Sequence, residues 1–241
     1  MNRIKTPEQL DATIQQLQSD DLAERRDAGT QLSYVDRHHT VGFELAMPVI
    51  LDKAVNDSDV YVRERCIEAI RMAHGIIEVN SNILDIVKQL ALDKKEDDPN
   101  GWVRDRAQEL LLEVVIRDSN TINVGIALKA LLTAAEHKAL TANMKEGLVE
   151  RIVSDKVSTH VRELSGKILT KLFEFNEGLE EGLVTRLENA QKRSKGDVLN
   201  CINRVLERHA AFRARIETGE GKRLQPPARE PAARAATARV G

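Results

Sequence analysis

The chain has 241 residues, a formal net charge of −2 and an aromatic content of only 3%. Sandwiches and barrels of β-strands draw heavily on aromatic and β-branched residues, so this composition favours helices. The near-neutral charge provides no overall positive field for a nucleic-acid backbone. The first residues are polar, unlike a signal peptide, and no apolar run is long enough for a membrane span. We therefore expect a cytoplasmic protein.

The first repeated element, residues 20–35, is a weak one. It begins with two aspartates and predicts a helix in which Ala28 and Leu32 lie on one apolar stripe. A much clearer unit follows at 46–73, where a helix, an Asn-Asp-Ser-Asp turn and a second helix are predicted. Asp59 is placed to cap that second helix. Its apolar stripe consists of Val62, Cys66, Ile70 and Ala73.

The same pattern returns at 98–115 and at 155–172, each time as an aspartate, then Val-Arg, a small residue and paired apolar residues. The equivalent arginines are Arg25, Arg63, Arg104 and Arg162. The last interval between them is the longest, and two helices are predicted within it, at 122–137 and 142–153. We expect the arginines to form a structural charge ladder with neighbouring aspartates, with anion binding as the alternative.

The remaining sequence predicts a final helix pair and a tail. Residues 177–212 have helical periodicity with a break near 194–196. From 214 to 241 the chain is rich in Ala, Arg and Pro, and a segment of this composition cannot build a packed core. Six basic residues against three glutamates give this tail a charge of +3 and leave −5 for the rest. We predict a folded domain over 1–213 and a disordered basic tail over 214–241.

The repeated Asp, Val-Arg-x-x-small and paired apolar residues resemble the HEAT repeat family, and most closely its short variant named after phycobilisome lyases. The resemblance covers roughly residues 6–212. It implies an all-α solenoid of about five helical hairpins wound into a right-handed superhelix. Such modules serve many roles, so the resemblance does not by itself identify a function.

Residue patterns for catalysis or metal binding are missing from the sequence. Cys66 and Cys201 are far apart and predict buried thiols, not a metal site or a disulfide framework. The adjacent His38 and His39 lack suitably spaced ligands, and the sequence has no P-loop, dinucleotide, zincin or nucleophile-elbow motif. We predict no catalytic, cofactor or metal site.

Three enzyme families that resemble this scaffold also fit poorly. Deoxyhypusine hydroxylases hold iron with repeated His-Glu pairs, and no histidine here precedes a glutamate. Helical-repeat DNA glycosylases line a basic cleft with several Trp and Tyr residues. This chain has a single tryptophan, Trp102, which we expect to be a packing residue. Bilin lyases share the repeat subtype, but a tetrapyrrole pocket would be expected to contain more aromatic residues.

We therefore predict a non-catalytic scaffold or adaptor that binds a protein or peptide. In HEAT-like stacks the second helices line the concave face, where we expect a mixed, acid-leaning ridge that suits a basic partner. The ridge consists of Glu64, Glu68, Arg71, Asp105, Glu109, Glu163, Lys167 and Lys171. Solvated helix faces would show the same pattern. The alternatives are a bilin-lyase-like, chromophore-handling protein or nucleic-acid binding through the Arg-rich tail, although the overall charge argues against nucleic acid.

Overall fold

A computed structural model describes residues 4–34, 42–74, 79–92, 98, 100–118, 120–175 and 177–218. In these ranges the chain forms eleven α-helices and no strand. The helices are α1 (Pro7–Leu17), α2 (Leu22–Leu32), α3 (Phe43–Asn56), α4 (Val60–Ala73), α5 (Ser81–Leu92), α6 (Trp102–Arg117), α7 (Thr121–Glu136), α8 (Ala142–Val153), α9 (Thr159–Glu174), α10 (Glu181–Gln191) and α11 (Gly196–Glu217).

The helices are arranged in two rows. Each helix packs against the helix two places further along the chain, so α2, α4, α6, α8 and α10 form an even row and the other six form an odd row. Five helical hairpins connect the rows: α1–α2, α3–α4, α5–α6, α8–α9 and α10–α11. Helix α7 is additional and packs on α5, α6 and α9. This confirms the predicted all-α repeat solenoid and accounts for the long interval before Arg162.

The predicted apolar stripes form one continuous core between the rows. The small residue of each repeat is fully buried, at Ala28, Cys66, Ala107 and Ser165. One hairpin cannot bury its stripe alone, so each neighbour in the stack completes the core of the next. As predicted, Asp59 caps α4, because its carboxylate accepts the backbone N–H of Val62 at 3.1 Å.

The repeated arginines stabilise the turns between helices through hydrogen bonds. Arg162 donates to three backbone carbonyl oxygens at the end of α8 and in the turn that follows it. Arg63 donates to the carbonyl oxygen of Asp57 at 2.8 Å, and Arg25 reaches the Asp57 carboxylate of the next hairpin at 3.0 Å. The predicted arginine–aspartate pairing therefore holds for Arg25. Arg63 and Arg162 donate to carbonyl groups that helix ends and turns leave without helical partners.

The last helix extends beyond the predicted domain boundary at residue 213. Helix α11 continues to Glu217, and Arg215 donates to the carbonyl oxygen of Phe173 at 2.5 Å. Residues 219–241 lie outside the described part of the chain, so the predicted disorder of the tail remains a prediction. His209 lies inside α11 and packs against Phe173 and Phe212. Its ring fills apolar space that aliphatic side chains would otherwise occupy.

Candidate functional site

The predicted ridge does not form one surface. Its residues on α4 and α6 lie next to each other in the even row, but those on α9 lie in the odd row. There Lys171 pairs with Glu136 of α7 at 3.4 Å and with Glu174 at 2.9 Å. The extra helix α7 places α9 in the odd row, although the sequence of α9 follows the same repeat pattern as α4 and α6. Glu163, Lys167 and Lys171 are therefore separate from the other predicted residues, and α8 is the next neighbour of α6.

The even-row part of the ridge is also less exposed than we expected. Glu64, Glu68 and Asp105 are buried, and Arg71 and Glu109 are only partly exposed. The reason is the close packing of α4 against α6, which brings the charged faces of the two helices together. The expectation of a solvated acidic ridge is therefore wrong for these three carboxylates.

Arg106 of α6 is at the centre of an ion-pair network between the two helices. Its guanidinium group donates to Glu64 of α4 at 2.7 Å and to Glu109 of its own helix at 2.6 Å. Glu64 is also paired with Arg65 at 3.1 Å. These carboxylates already have cationic partners within the protein, so they offer little free negative charge to an approaching molecule.

Arg71 provides the second half of the network. It donates twice to Glu68, at 2.8 and 2.6 Å, and reaches Glu113 of α6 at 2.5 Å. Hydrogen bonding to Glu68 raises the pKa of Arg71 above its ordinary value. Burial opposes the ionisation of Glu68, but hydrogen bonding to Arg71 and the positive charges of Arg71, Arg106 and Arg65 lower its pKa overall. The network is ionised and joins α4 to α6.

A depression of about 310 Å³ lies beside this network at the start of α6. Trp102, which we expected to be a packing residue, forms part of its wall and is 48% exposed, so about half of its surface faces solvent. Tyr61 lies opposite, with the Arg65 guanidinium 4.9 Å from its ring centroid. The complete lining is Tyr61, Glu64, Arg65, Trp102, Asp105, Arg106 and Asn143.

Asp105 differs from the other carboxylates of the depression because its partners are uncharged. It accepts the hydroxyl of Thr141 at 2.5 Å and the side-chain amide of Asn143 at 2.8 Å. These bonds tie α6 to the N-terminus of α8, where Thr141 is the N-cap. Among the described ion pairs none includes Asp105, so its negative charge is held by neutral donors only.

A second depression of about 190 Å³ continues along the same side of the molecule. Arg106 and Asn143 line both depressions, so the two form one groove that runs along α6 with α4 on one side and α8 on the other, here called the α6–α8 groove. Its second part is lined by Arg71, Arg106, Glu109, Leu112, Glu113, Asn143, Met144, Gly147 and Arg151. Leu112 and Met144 are buried and give this polar groove an apolar floor.

Arg151 is the cationic counterpart of Asp105 at the far end of the groove. Its guanidinium group donates to the carbonyl oxygen of Gly147 at 2.9 Å, and no ion pair of Arg151 is present among the described residues. Four carboxylates and four arginines line the groove, and three of each are paired with one another. Asp105 and Arg151 are the two lining residues without a described ion pair, and they lie at opposite ends of the groove.

The sequence contained a weak signal for α8 that we did not use. Asn143, Gly147 and Arg151 recur every four residues, which places them on one helix face. A glycine between two polar residues on one face of a helix leaves open space above the backbone. This pattern becomes informative only once α8 is known to lie beside α6, and sequence spacing did not show that.

The described residues contain no group of three or more His, Cys, Asp or Glu side chains that could hold a metal ion. His38 and His39 lie outside the described ranges. Both cysteines are buried free thiols, and loss of hydration raises the pKa of each. None of the described helices is long and apolar enough to cross a membrane.

No family model and no curated protein matches this chain. Among solved structures, one engineered protein is 14% identical with a TM-score of 0.39, covering 84% of this chain and 97% of that one. A designed armadillo repeat protein in complex with the peptide (KR)4 is 15% identical with a TM-score of 0.36, covering 83% and 99%. The chain's own helix packing therefore establishes its fold.

Proposed function

We propose that this chain is a non-catalytic interaction module that binds a segment of a partner protein in the α6–α8 groove. The observation that carries the proposal is the position of Trp102. The indole is half-exposed on the wall of the first depression, whose other lining residues are polar, and the indole N–H has no hydrogen-bond partner among the described residues. Tryptophan is enriched among the residues that dominate binding energy at protein interfaces.

A polypeptide segment suits the dimensions and chemistry of the groove. Asn143 and Arg151 are eight residues apart on α8, which corresponds to about 12 Å along the helix axis. The groove combines an apolar floor with polar rims, and a peptide brings both apolar side chains and main-chain hydrogen-bond groups. Asn143 donates its amide N–H to Asp105, which leaves its carbonyl oxygen to accept from a ligand.

A peptide display library tests the proposal. Peptides selected on the wild-type chain are titrated against Trp102→Ala and against the control Ile122→Ala. Ile122 is also an exposed apolar side chain, 70% accessible, but it lies on α7 in the odd row. Trp102→Ala should weaken binding by about tenfold or more, as expected for a central aromatic anchor. Ile122→Ala should bind as the wild type does.

The sequence contains a single tryptophan, so its fluorescence reports directly on the groove. Binding in the groove should shift the emission of the wild-type chain, because the peptide replaces water around the indole. Selected peptides that bind Trp102→Ala as tightly as the wild type, without changing tryptophan emission, would place the binding surface elsewhere. Circular dichroism of each variant confirms that the helices are retained.

A further inference from the structure

We infer that the α6–α8 groove selects an extended segment with a basic side chain at one end and an acidic side chain about two to four residues away. The inference rests on the proposed function and specifies the partner. It starts from the two charges of the groove that no ion pair compensates, those of Asp105 and Arg151. Both charges are partly shielded from water, and a charge in such a place interacts more strongly with a ligand than a solvated one does.

The basic side chain belongs at the Trp102 end. There Asp105 has a buried carboxylate with two neutral donors, and a carboxylate has about four acceptor sites in all. Trp102 presents an exposed indole in the same depression, and a cation over an indole face is attracted by the ring. A lysine or arginine side chain satisfies both groups at once, whereas an acidic side chain would be repelled by Asp105.

The acidic side chain belongs at the Arg151 end. A guanidinium group has five N–H donors in a planar fork that matches a carboxylate, and one nitrogen of Arg151 donates to Gly147. The other arginines of the groove are already paired with Glu64, Glu109 and Glu113. Gly147 keeps the approach open, because a Cβ at this position would lie 3.0 Å from the guanidinium nitrogen of Arg151.

The spacing follows from the geometry of α8. Asn143, which donates to Asp105, is about 12 Å from the level of Arg151 along the helix axis. The guanidinium group of Arg151, however, reaches back to the carbonyl oxygen of Gly147, which is only about 6 Å from Asn143 along the axis. An extended chain advances about 3.3 Å per residue, so the two charged side chains are about two to four residues apart. A helical partner is about 10–12 Å wide with its side chains. A helix of that width does not fit depressions of about 310 and 190 Å³.

This conclusion reverses the charge expected at one end of the site. The sequence suggested a basic partner, attracted by glutamates that the structure shows to be paired with arginines. A uniformly basic segment would meet Arg151, and a polyanion such as nucleic acid would meet Asp105. Only a segment with both charges in the stated arrangement complements the whole groove.

The experiment compares peptide libraries selected on the wild-type chain and on Arg151→Glu. Wild-type selection should enrich a basic and an acidic residue about two to four positions apart. Selection on Arg151→Glu should replace the acidic residue by a basic one and keep the basic residue at the Trp102 end. Arg208→Glu, an exposed position on α11, is the matched control and should select the same peptides as the wild type.

A charge-swap cycle then measures the contact itself. The best wild-type peptide and its variant with lysine at the acidic position are titrated against both chains. Each single change should weaken binding by about tenfold, and the double change should recover most of that loss. Peptides that depend on Trp102 but show no paired charges, or whose charges are unaffected by Arg151→Glu, overturn this inference alone. Failure to recover any Trp102-dependent peptide overturns the proposed function as well.

Discussion

Two neighbouring contacts of the even row differ in how their charges are satisfied. Where α4 meets α6, the charged faces pack closely and arginines of each helix pair with glutamates of the other. Where α6 meets α8, the helices touch near their N-termini and leave a groove, and Asp105 is held there by neutral donors. The same kind of residue thus joins two helices in one contact and remains available to a ligand in the next.

The difference shows that charge composition alone does not identify a binding surface. Glu64 and Asp105 belong to equivalent repeats and are both buried, yet of the two only Asp105 lacks a cationic partner in the part of the chain that the structure describes. This difference in partners coincides with the insertion of α7. In the hairpins after α7, the second helix lies in the odd row. The interruption of the repeat, not its regular part, opens the groove.

The largest effect is expected from breaking the α4–α6 network. Arg71→Met keeps the aliphatic stem but removes the charged hydrogen bonds to Glu68 and Glu113. Each such bond contributes about 1.5–3 kcal/mol, and both carboxylates remain largely buried, so we expect a loss of about 2–4 kcal/mol. Thermal unfolding should show this as a clearly lower Tm.

The same substitution on an exposed pair is the control. Arg186→Met on α10 removes contacts to Glu146 and Glu150 of α8, which also bridge two even-row helices but are solvated. Exposed pairs contribute about 0–1 kcal/mol, so its Tm should stay close to that of the wild type. Equal losses in the two variants would contradict the contrast between a structural network and a solvated surface.

The network also predicts a dependence on pH. The pKa of Glu68 is lower in the folded protein than its ordinary value, so the folded state binds the proton more weakly than the unfolded state. Its contribution to stability is complete above the ordinary carboxyl pKa and is lost as the pH falls through the folded value. Arg71→Met should therefore lose less stability than the wild type on acidification, measured by denaturant unfolding.

A second, somewhat smaller effect concerns the packing beneath the same face. Cys66 is fully buried on α4, and a leucine there adds volume for which the close-packed core has no space. Cys66→Leu should cost about 1–3 kcal/mol, whereas Cys66→Ala should be milder. If leucine is tolerated as well as alanine in thermal unfolding, the assigned helix face is wrong.

Much of this fold was predictable because apolar periodicity and capping are local properties. The stripe through Cys66, the cap at Asp59 and the helix at 142–153, which is α8, follow from residue spacing within one helix. The exposure of Trp102 and the partners of Glu64 depend on which helices become neighbours. One extra helix alters those neighbours without changing any local pattern. For the same reason Lys171 was predicted beside α6 but pairs with α7.

A matched pair of glycines compares a tight contact with the open groove. In α9, a Cβ at Gly166 would lie 2.9 Å from Sγ of the buried Cys201, so Gly166→Ala should destabilise the α9–α11 contact by roughly 1 kcal/mol. In α8, a Cβ at Gly147 would meet only the flexible end of Arg151. Gly147→Ala should gain up to about 0.5–1 kcal/mol from helix propensity. A lower Tm for Gly166→Ala together with a higher Tm for Gly147→Ala would support the contrast, and equal shifts in Tm would contradict it.

The smallest expected effect involves a tight contact made by aromatic rings instead of ion pairs. His209 of α11 packs edge-on against Phe173 and tilted against Phe212. Its ring centroid is 5.3 Å from that of Phe173 and 5.9 Å from that of Phe212. Burial and then the positive charge of Arg213 lower its pKa, against the weaker pull of Glu181 and Glu188. The unfolded chain therefore binds the proton more readily, so the stability that neutral His209 provides is complete above its ordinary pKa and is lost as the pH falls below it.

Lowering the pH from ~7.5 to ~5.5, across the ordinary value of about 6.5, should reduce the Tm of the wild type more than that of His209→Gln. The other histidines are common to both proteins and cancel in the comparison. Because His209 and its two phenylalanine neighbours are not among the residues that line the groove, tryptophan-detected peptide binding should be unchanged over the same step. A parallel loss of binding would show that the groove depends on the α9–α11 contact, through α8, which packs against both helices.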